Sequence, residues 1–289
     1  TNFEDLSPLS SMTNLVHLDI TACNISDLSP VASLTSLKTI AADETKISQE
    51  DATLFVRNHP DILLIHHVKD LQSWWDSLSL AWKNVLVKIN PELEIEKPRI
   101  ESLMQTLNLP VLNLDDSGIE SLMPLVRFVA LTSISVSNND KLDNLLPLQE
   151  VMTLRQFTAK NTSVQDGSGL KENVLLERID LEGSPILSIA ALSSLPELNY
   201  LNVNSSQVKE FEFPEFLQIR PDVSIIYRSD SLFSWWEGLN EDWKQVFSGK
   251  YKLSASPTTE ELHQLTSVAS LTLERVSFLS LIHISEPTR

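Results

Sequence analysis

One pattern constrains this chain more than any other feature: Leu112-Asn113-Leu114-Asp115-Asp116-Ser117-Gly118-Ile119, an octet of the form L-x-L-x-x-[S/T/N/C]-x-I. Counted from its first apolar residue, the octet recurs at Leu18, Ile40, Leu112, Ile134, Phe157, Ile179, Leu201 and Leu271, with most steps 22 or 23 residues long. Apolar and polar residues alternate inside it, which predicts a short strand with one buried face. The path between octets, Ile25-x-x-Leu28-x-Pro30-Val31-x-x-Leu34-x-x-Leu37, spaces its apolar residues by three. Proline excludes a regular α-helix there, so the return path is expected to be 3₁₀ or irregular. One such unit cannot bury its own apolar side, and the units must stack into a solenoid. The repeat after Phe157 departs furthest: Val164 to Leu170 lacks both the Leu and the Pro, and its outer side is expected to be the most mobile.

Two long steps interrupt the period, and the segments that fill them are copies of each other. Leu71, Trp74, Trp75, Leu78, Trp82, Lys83 and Val85 match Leu232, Trp235, Trp236, Leu239, Trp243, Lys244 and Val246, every pair 161 residues apart. Downstream the offset falls to 159, pairing Pro98, Glu101, Leu103 and Leu112 with Pro257, Glu260, Leu262 and Leu271. Within the first copy, residues 49–58 read as helical, residues 62–65 as a further strand centred on Leu63, and the stripe from Leu71 to Ile89 as one helix or two short ones. Asn240-Glu241-Asp242 offers a cap and early acids for the second of these in the later copy. All six tryptophans lie in these inserts. Trp74, Trp75, Trp82, Trp235, Trp236 and Trp243 are expected to be structural, covering the open end of a strand stack or packing block on block, with an exposed partner-binding aromatic patch as the alternative.

The octet, its period and the I-x-x-L-x-P-L return resemble the leucine-rich-repeat family, and within it the bacterial internalin-like class. The resemblance spans well over half of the chain. It implies an α/β leucine-rich-repeat solenoid, with a parallel β-sheet on the concave face, an irregular or 3₁₀ convex side, and short helical inserts. It also implies that the sixth octet position (Cys23, Thr45, Ser117, Asn139, Thr162, Ser184, Ser206, Val276) points inward and hydrogen-bonds the backbone of adjacent turns. Cys23 is then a ladder residue and not a nucleophile; Val276 cannot make such a bond. The expected organisation is the end of a repeat block at 1–69, a Trp-rich insert at 70–97, a repeat block at 98–229, a second insert at 230–256 and the start of another block at 257–280. Residues 281–289 resemble a translated sequencing-library adapter and are expected to be non-native. The chain opens in mid-repeat, Phe3-x-x-Leu6-x-Pro8-Leu9 matching Ile25-x-x-Leu28-x-Pro30-Val31, so a segment is expected to precede it.

The formal charge of −17, from 39 acidic and 22 basic residues, repels phosphate and argues against nucleic acid and anionic membrane as partners. A polar or basic protein surface suits it better. No apolar run approaches the ~18 residues of a membrane span, so no membrane insertion is expected. Cys23 is the only cysteine, which excludes an intrachain disulfide and, with no visible signal peptide, favours a cytoplasmic setting. Nucleotide-binding, serine-hydrolase and zinc-protease motifs are missing, so no enzyme and no cofactor are expected. His59, His66 and His67 with Asp61 form the one cluster that suggests a metal. Their counterparts are Arg220, Tyr227, Arg228 and Asp222, so they are expected to be surface histidines. His66 and His67 would point apart across a strand, and no metal site is expected.

The informative surface is the concave face, built from the polar positions of the octets. Its candidate partner-binding residues are Asp19, Asp43, Asp115, Lys160, Asp180, Glu182, Tyr200, Asn202, Asn204 and Glu274. The expected function is a non-enzymatic scaffold for protein–protein interaction. A cell-surface adhesin of internalin-like type, or the substrate-recognition region of a larger enzyme, are the alternatives the resemblance allows.

Overall fold

The computed structural model describes residues 3–266. The octet expected at Leu271, with Glu274 and Val276, and the tail at 281–289 lie outside the described residues. The chain forms two compact units, Thr1–Tyr227 and Arg228–Arg289.

In chain order the first unit contains β1 (His17–Asp19), β2 (Thr39–Ala41), α1 (Gln49–Asn58), β3 (Leu63–Ile65), α2 (Val68–Ser77), α3 (Leu80–Ile89) and α4 (Ile100–Leu107). These are followed by β4 (Val111–Asn113), β5 (Ser133–Ser135), β6 (Gln156–Thr158), β7 (Arg178–Asp180), β8 (Tyr200–Asn202), α5 (Glu212–Ile219) and β9 (Ser224–Ile226). β1, β2 and β3 form one parallel sheet, and β4 to β9 form a second, each strand beside the next in sequence. The register runs Leu112, Ile134, Phe157, Ile179, Leu201, Ile225 across the second sheet, and all six side chains are buried. This is a leucine-rich-repeat solenoid. In the first sheet Ile40 pairs with Leu64 and not with its neighbour. The strand expected around Leu63 is therefore centred one residue later, because the return path through α1 is longer than a 3₁₀ turn. A one-residue slip reverses the faces, and Leu64 is the fully buried residue.

The return paths are 3₁₀ helices at Ser7–Leu9, Ser29–Val31, Met123–Arg127, Leu146–Glu150, Ser168–Leu170 and Ala190–Ser194. In four of them proline stands in the first positions, where its missing N–H costs nothing. A second device recurs beside it. Asp5, Asp27, Ser121, Asn144, Asp166 and Ser188 each accept the backbone N–H two residues on, at distances from 2.8 to 3.3 Å. These Asx and Ser turns stop the chain from continuing straight after the octet. The backbone N–H, then the serine hydroxyl, hold Asp27 and Asp166 below the usual carboxylate range.

Each octet among the described residues leaves its strand through a left-handed residue at the fifth position: Ala22, Glu44, Asp116, Asn138, Asn161, Gly183 and Ser205 all have φ between 51° and 72°. That conformation is easy for Gly and Asn and costs other residues about 1–2 kcal/mol. At Gly183 a side chain would also meet Asn161, its Cβ falling 2.2 Å from Oδ1. The sixth position then turns inward. Asn139 donates to Leu114 O (3.0 Å) and Val136 O (2.7 Å) and accepts from Ile119 N (3.0 Å), tying two turns together. Ser184 donates to Ala159 O at 2.7 Å and lies 2.9 Å from the Thr162 hydroxyl.

The turn that breaks the pattern after Phe157 keeps Val164, Leu170 and Leu176 fully buried. It closes because Gly169 lets two backbones approach: a Cβ there would lie 2.5 Å from the carbonyl carbon of Leu145. Asn173, in the place that Val151 and Leu195 hold in flanking turns, donates to Leu148 O and Val151 O at 2.9 and 2.8 Å.

The first insert is two helices, α2 and α3, with Ser79 accepting Trp82 N as the cap of α3. Leu71, Trp75, Leu78, Trp82, Val85 and Leu86 belong to the same buried core as the strands from β4 onward, while β1 to β3 enclose a separate one. Arg57 of α1 donates Nε to Val129 O at 2.9 Å, joining the two blocks on the return side. The second unit contains α6 (Ser229–Gly238), α7 (Glu241–Tyr251) and α8 (Thr259–Thr266), and Asn240 Oδ1 caps α7 by accepting Trp243 N at 3.0 Å.

Two substitutions test this account by urea denaturation. Gly169→Ala drives a methyl into backbone and is expected to cost about 1–3 kcal/mol. Glu44→Gly relieves a left-handed residue and is expected to stabilise by up to about 1 kcal/mol. A neutral Gly169→Ala would show that the two turns are not held at this distance in solution.

Candidate protein-binding surface

With Leu112 and Leu114 turned inward, the second and fourth octet positions face away from the core. Much of this polar face is spent on holding the strands' exits. Asp19, Asn113, Asp180 and Asn202 each accept the N–H two residues on, from Thr21, Asp115, Glu182 and Asn204, at 2.9, 2.9, 3.2 and 3.0 Å. The Thr21 N–H, then its hydroxyl, keep Asp19 below the usual carboxylate range. Asp115 reaches across to the next strand, its Oδ1 accepting the Ser135 hydroxyl at 2.6 Å and Ser137 N at 2.7 Å. Asp43 accepts Val68 N at 2.9 Å and thereby anchors the start of α2.

Lys160 is the centre of the charged part of the face, 3.0 Å from Asp180 and 2.9 Å from Glu182. Partial burial works against its charge. Hydrogen bonds to Glu182 and Asp180 and their negative charge outweigh that, and its pKa lies above the ordinary lysine value. Tyr200 is half-buried, with the guanidinium of Arg178 stacked 3.8 Å over its ring. Arg178 was not singled out from the sequence. It stands two residues before Asp180, so the period-2 rule alone places it on this face. Asn202 and Asn204 are buried, and Asn202 Oδ1 is already occupied. Glu274 lies outside the described residues.

The tryptophans of the first insert pack rather than project. Trp75 is fully buried and donates Nε1 to Ile95 O at 3.0 Å, and Trp82 donates to Ser121 O at 2.8 Å. Trp74 meets Phe128 edge-on at 6.4 Å. The corresponding Trp235 and Trp243 are exposed, and Trp236 is half-buried.

The histidine cluster differs from expectation. His66 is buried, and its Nδ1 lies 2.6 Å from Nδ1 of His67. Strand alternation fails here because His67 adopts φ 49°, a left-handed turn that swings the second ring back beside the first. At this separation the pair shares one proton, one nitrogen donating and the other accepting. Burial first, then His67 and Arg127, lower the pKa of His66 from 6.5 to about 4, with Asp43 opposing.

No protein-family model and no curated protein matches the chain. Among solved structures it is similar to an internalin of Listeria monocytogenes, 19% identical over 78% of this chain and 51% of that one, at a TM-score of 0.36. It is similar also to internalin C2 of the same organism, 16% identical over 78% and 77%, at 0.37. A leucine-rich-repeat protein of Leptospira interrogans is 14% identical over 78% and 58%, at 0.39. The chain thus spans about half the length of the first of these. The fold assignment rests on the repeat and the strand ladder themselves.

Two measurements separate the structural acids and histidines from free ones. Asp115→Ala should cost about 1–2 kcal/mol in stability while Asp115→Asn, which keeps the accepting oxygen, should cost much less. Equal losses would mean that the charge and not the hydrogen bonds matters. Between pH 6.5 and about 4 the unfolded chain takes up a proton on His66 before the folded one does. Stability should therefore be intact above pH 6.5 and fall by as much as about 3 kcal/mol as the pH drops through that window. His66→Tyr, the residue of the second copy, should flatten this part of the pH profile; an unchanged slope would assign it to other groups.

Proposed function

We propose that this protein is a non-enzymatic interaction scaffold that receives a polar or basic protein surface on the solvent face of its six-stranded sheet. The observation that carries this reading is the preorganisation of that face. Asp115, Asp180 and Lys160 are held by bonds within the protein, so a partner would not have to order them on binding. The net charge of −17 supplies steering toward basic surfaces, and the stacked Arg178–Tyr200 pair is of the residue types that anchor interfaces. Of the candidate residues on that sheet, Lys160, Glu182 and Tyr200 keep surface to offer, with Arg178 added to them; Asp19 belongs to the three-stranded sheet. Asp43 and Asp115 act chiefly by holding neighbouring segments. The proposed partition places the partner on the repeat blocks, with the inserts joining them.

The test compares a face variant, Glu182→Lys with Arg178→Ala and Tyr200→Ala, against Glu150→Lys on the return side. Both are used as bait for partners crosslinked and captured from the source cells. Partners binding the sheet face should lose affinity by at least ~10-fold with the face variant and keep it with Glu150→Lys. Equal capture by both would sink the reading.

A further inference from the structure

The two inserts share one residue pattern in two environments. In the first, Trp82 is 3% exposed and bonds Ser121 O, Trp74 sets its edge against Phe128, and Leu71, Trp75, Leu78 and Leu86 join the core of the strands that follow. The bond to Ser121 and the contact with Phe128 fall on the first turn after the insert, from Leu112 to Leu131. In the second, the equivalents Trp235 and Trp243 are 37% and 38% exposed, with Phe233 beside them at 36%. Trp235 is tilted against half-buried Trp236 at 6.4 Å and against buried Phe247 at 5.9 Å, and Trp243 stacks on Phe247 at 5.4 Å. The caps of that scaffold are repeated. Asn240 caps α7 as Ser79 caps α3, and α8 follows in the sequence as α4 does, with Leu262 buried like Leu103, although α8 packs on α6 where α4 packs on β3. Exposed Trp235 and Trp243 on either side of Phe247 make an aromatic surface of the kind that marks a contact site.

We propose that the aromatic face of α6 and α7 is a seat for a leucine-rich-repeat turn of the kind that runs from Leu112 to Leu131. In the occupied seat Trp243 donates its indole N–H to the main-chain carbonyl at the position Ser121 holds in the first junction. The occupant follows from the first copy, where the matching residues already form this interface. A second molecule of the same chain or an unrelated protein has no such precedent in the structure.

The experiment joins a second copy of residues 108–227 directly after Thr266 of the full chain, so that α8 leads into the block that α4 leads into. Hydrogen exchange followed by mass spectrometry reads α6, α7 and the added block separately. Amides of α6 and α7 should slow by about tenfold or more, and tryptophan quenching by acrylamide should fall. Trp236→Ala with Trp243→Ala in the joined protein should release the first turn of the added block while leaving the original block protected. The proposal is overturned if the added block is protected while α6 and α7 exchange as before, or if it stays unprotected although its identical copy after the first insert is protected. It is overturned as well if the tryptophan variant changes nothing. Concentration-dependent dimerisation of the unextended protein that protects the same amides would assign the face to a second copy instead.

Discussion

Every turn of this solenoid buries its apolar residues only against the turn before and the turn after it. No turn is stable alone, and stability spreads from neighbour to neighbour. The parallel register carries that coupling on one side, Leu112 to Ile134 to Phe157 and onward. The inward side chains of Asn139, Thr162 and Ser184 carry it in the middle, and the 3₁₀ turns on the other side. Such a stack has a difficulty at its ends, where one face of the last turn has nothing to pack on. The first insert answers it with α2 and α3, whose Trp75 and Trp82 spend their indole N–H groups on main-chain carbonyls so that burial leaves neither donor without a partner.

The polar face of the sheet obeys the same economy of partners. Acids and amides that look free in a column of sequence are mostly bound to the backbone two residues on, or to the next strand. Local bonds of this kind fix the backbone without a large core, which matters where each strand is three residues long. They also leave the face stiff. Lys160 between Asp180 and Glu182 is a salt-bridged feature of that face.

Much of this was legible in the chain. The octet placed the strands, the prolines placed four of the 3₁₀ turns, and Asn240 announced a helix. What escaped depends on distances along the chain that no periodic rule supplies. β3 sits one residue later than expected because α1 lengthens its return path. His66 and His67 meet because a single left-handed residue reverses one side chain. The bond from Asp115 to Ser137 exists only once two strands are in register, and the tight approach at Gly169 depends on the neighbouring turn. The acceptors that open each return path, Asp27 and Asp166 among them, recur with the octet and could have been read from the period itself.

The arrangement of inserts has a consequence for how such a chain can change length. Two segments that share a tryptophan pattern lie 161 residues apart, each a helix pair. A genetic exchange between the copies, at a matching point inside them, would join a helix pair to a block that follows such a pair in the sequence. The product would gain or lose one whole block with its junction, and no strand would be left out of register. A gene built this way can vary its reach in fixed increments, where an exchange within the 22-residue period would more often leave a turn without its neighbour.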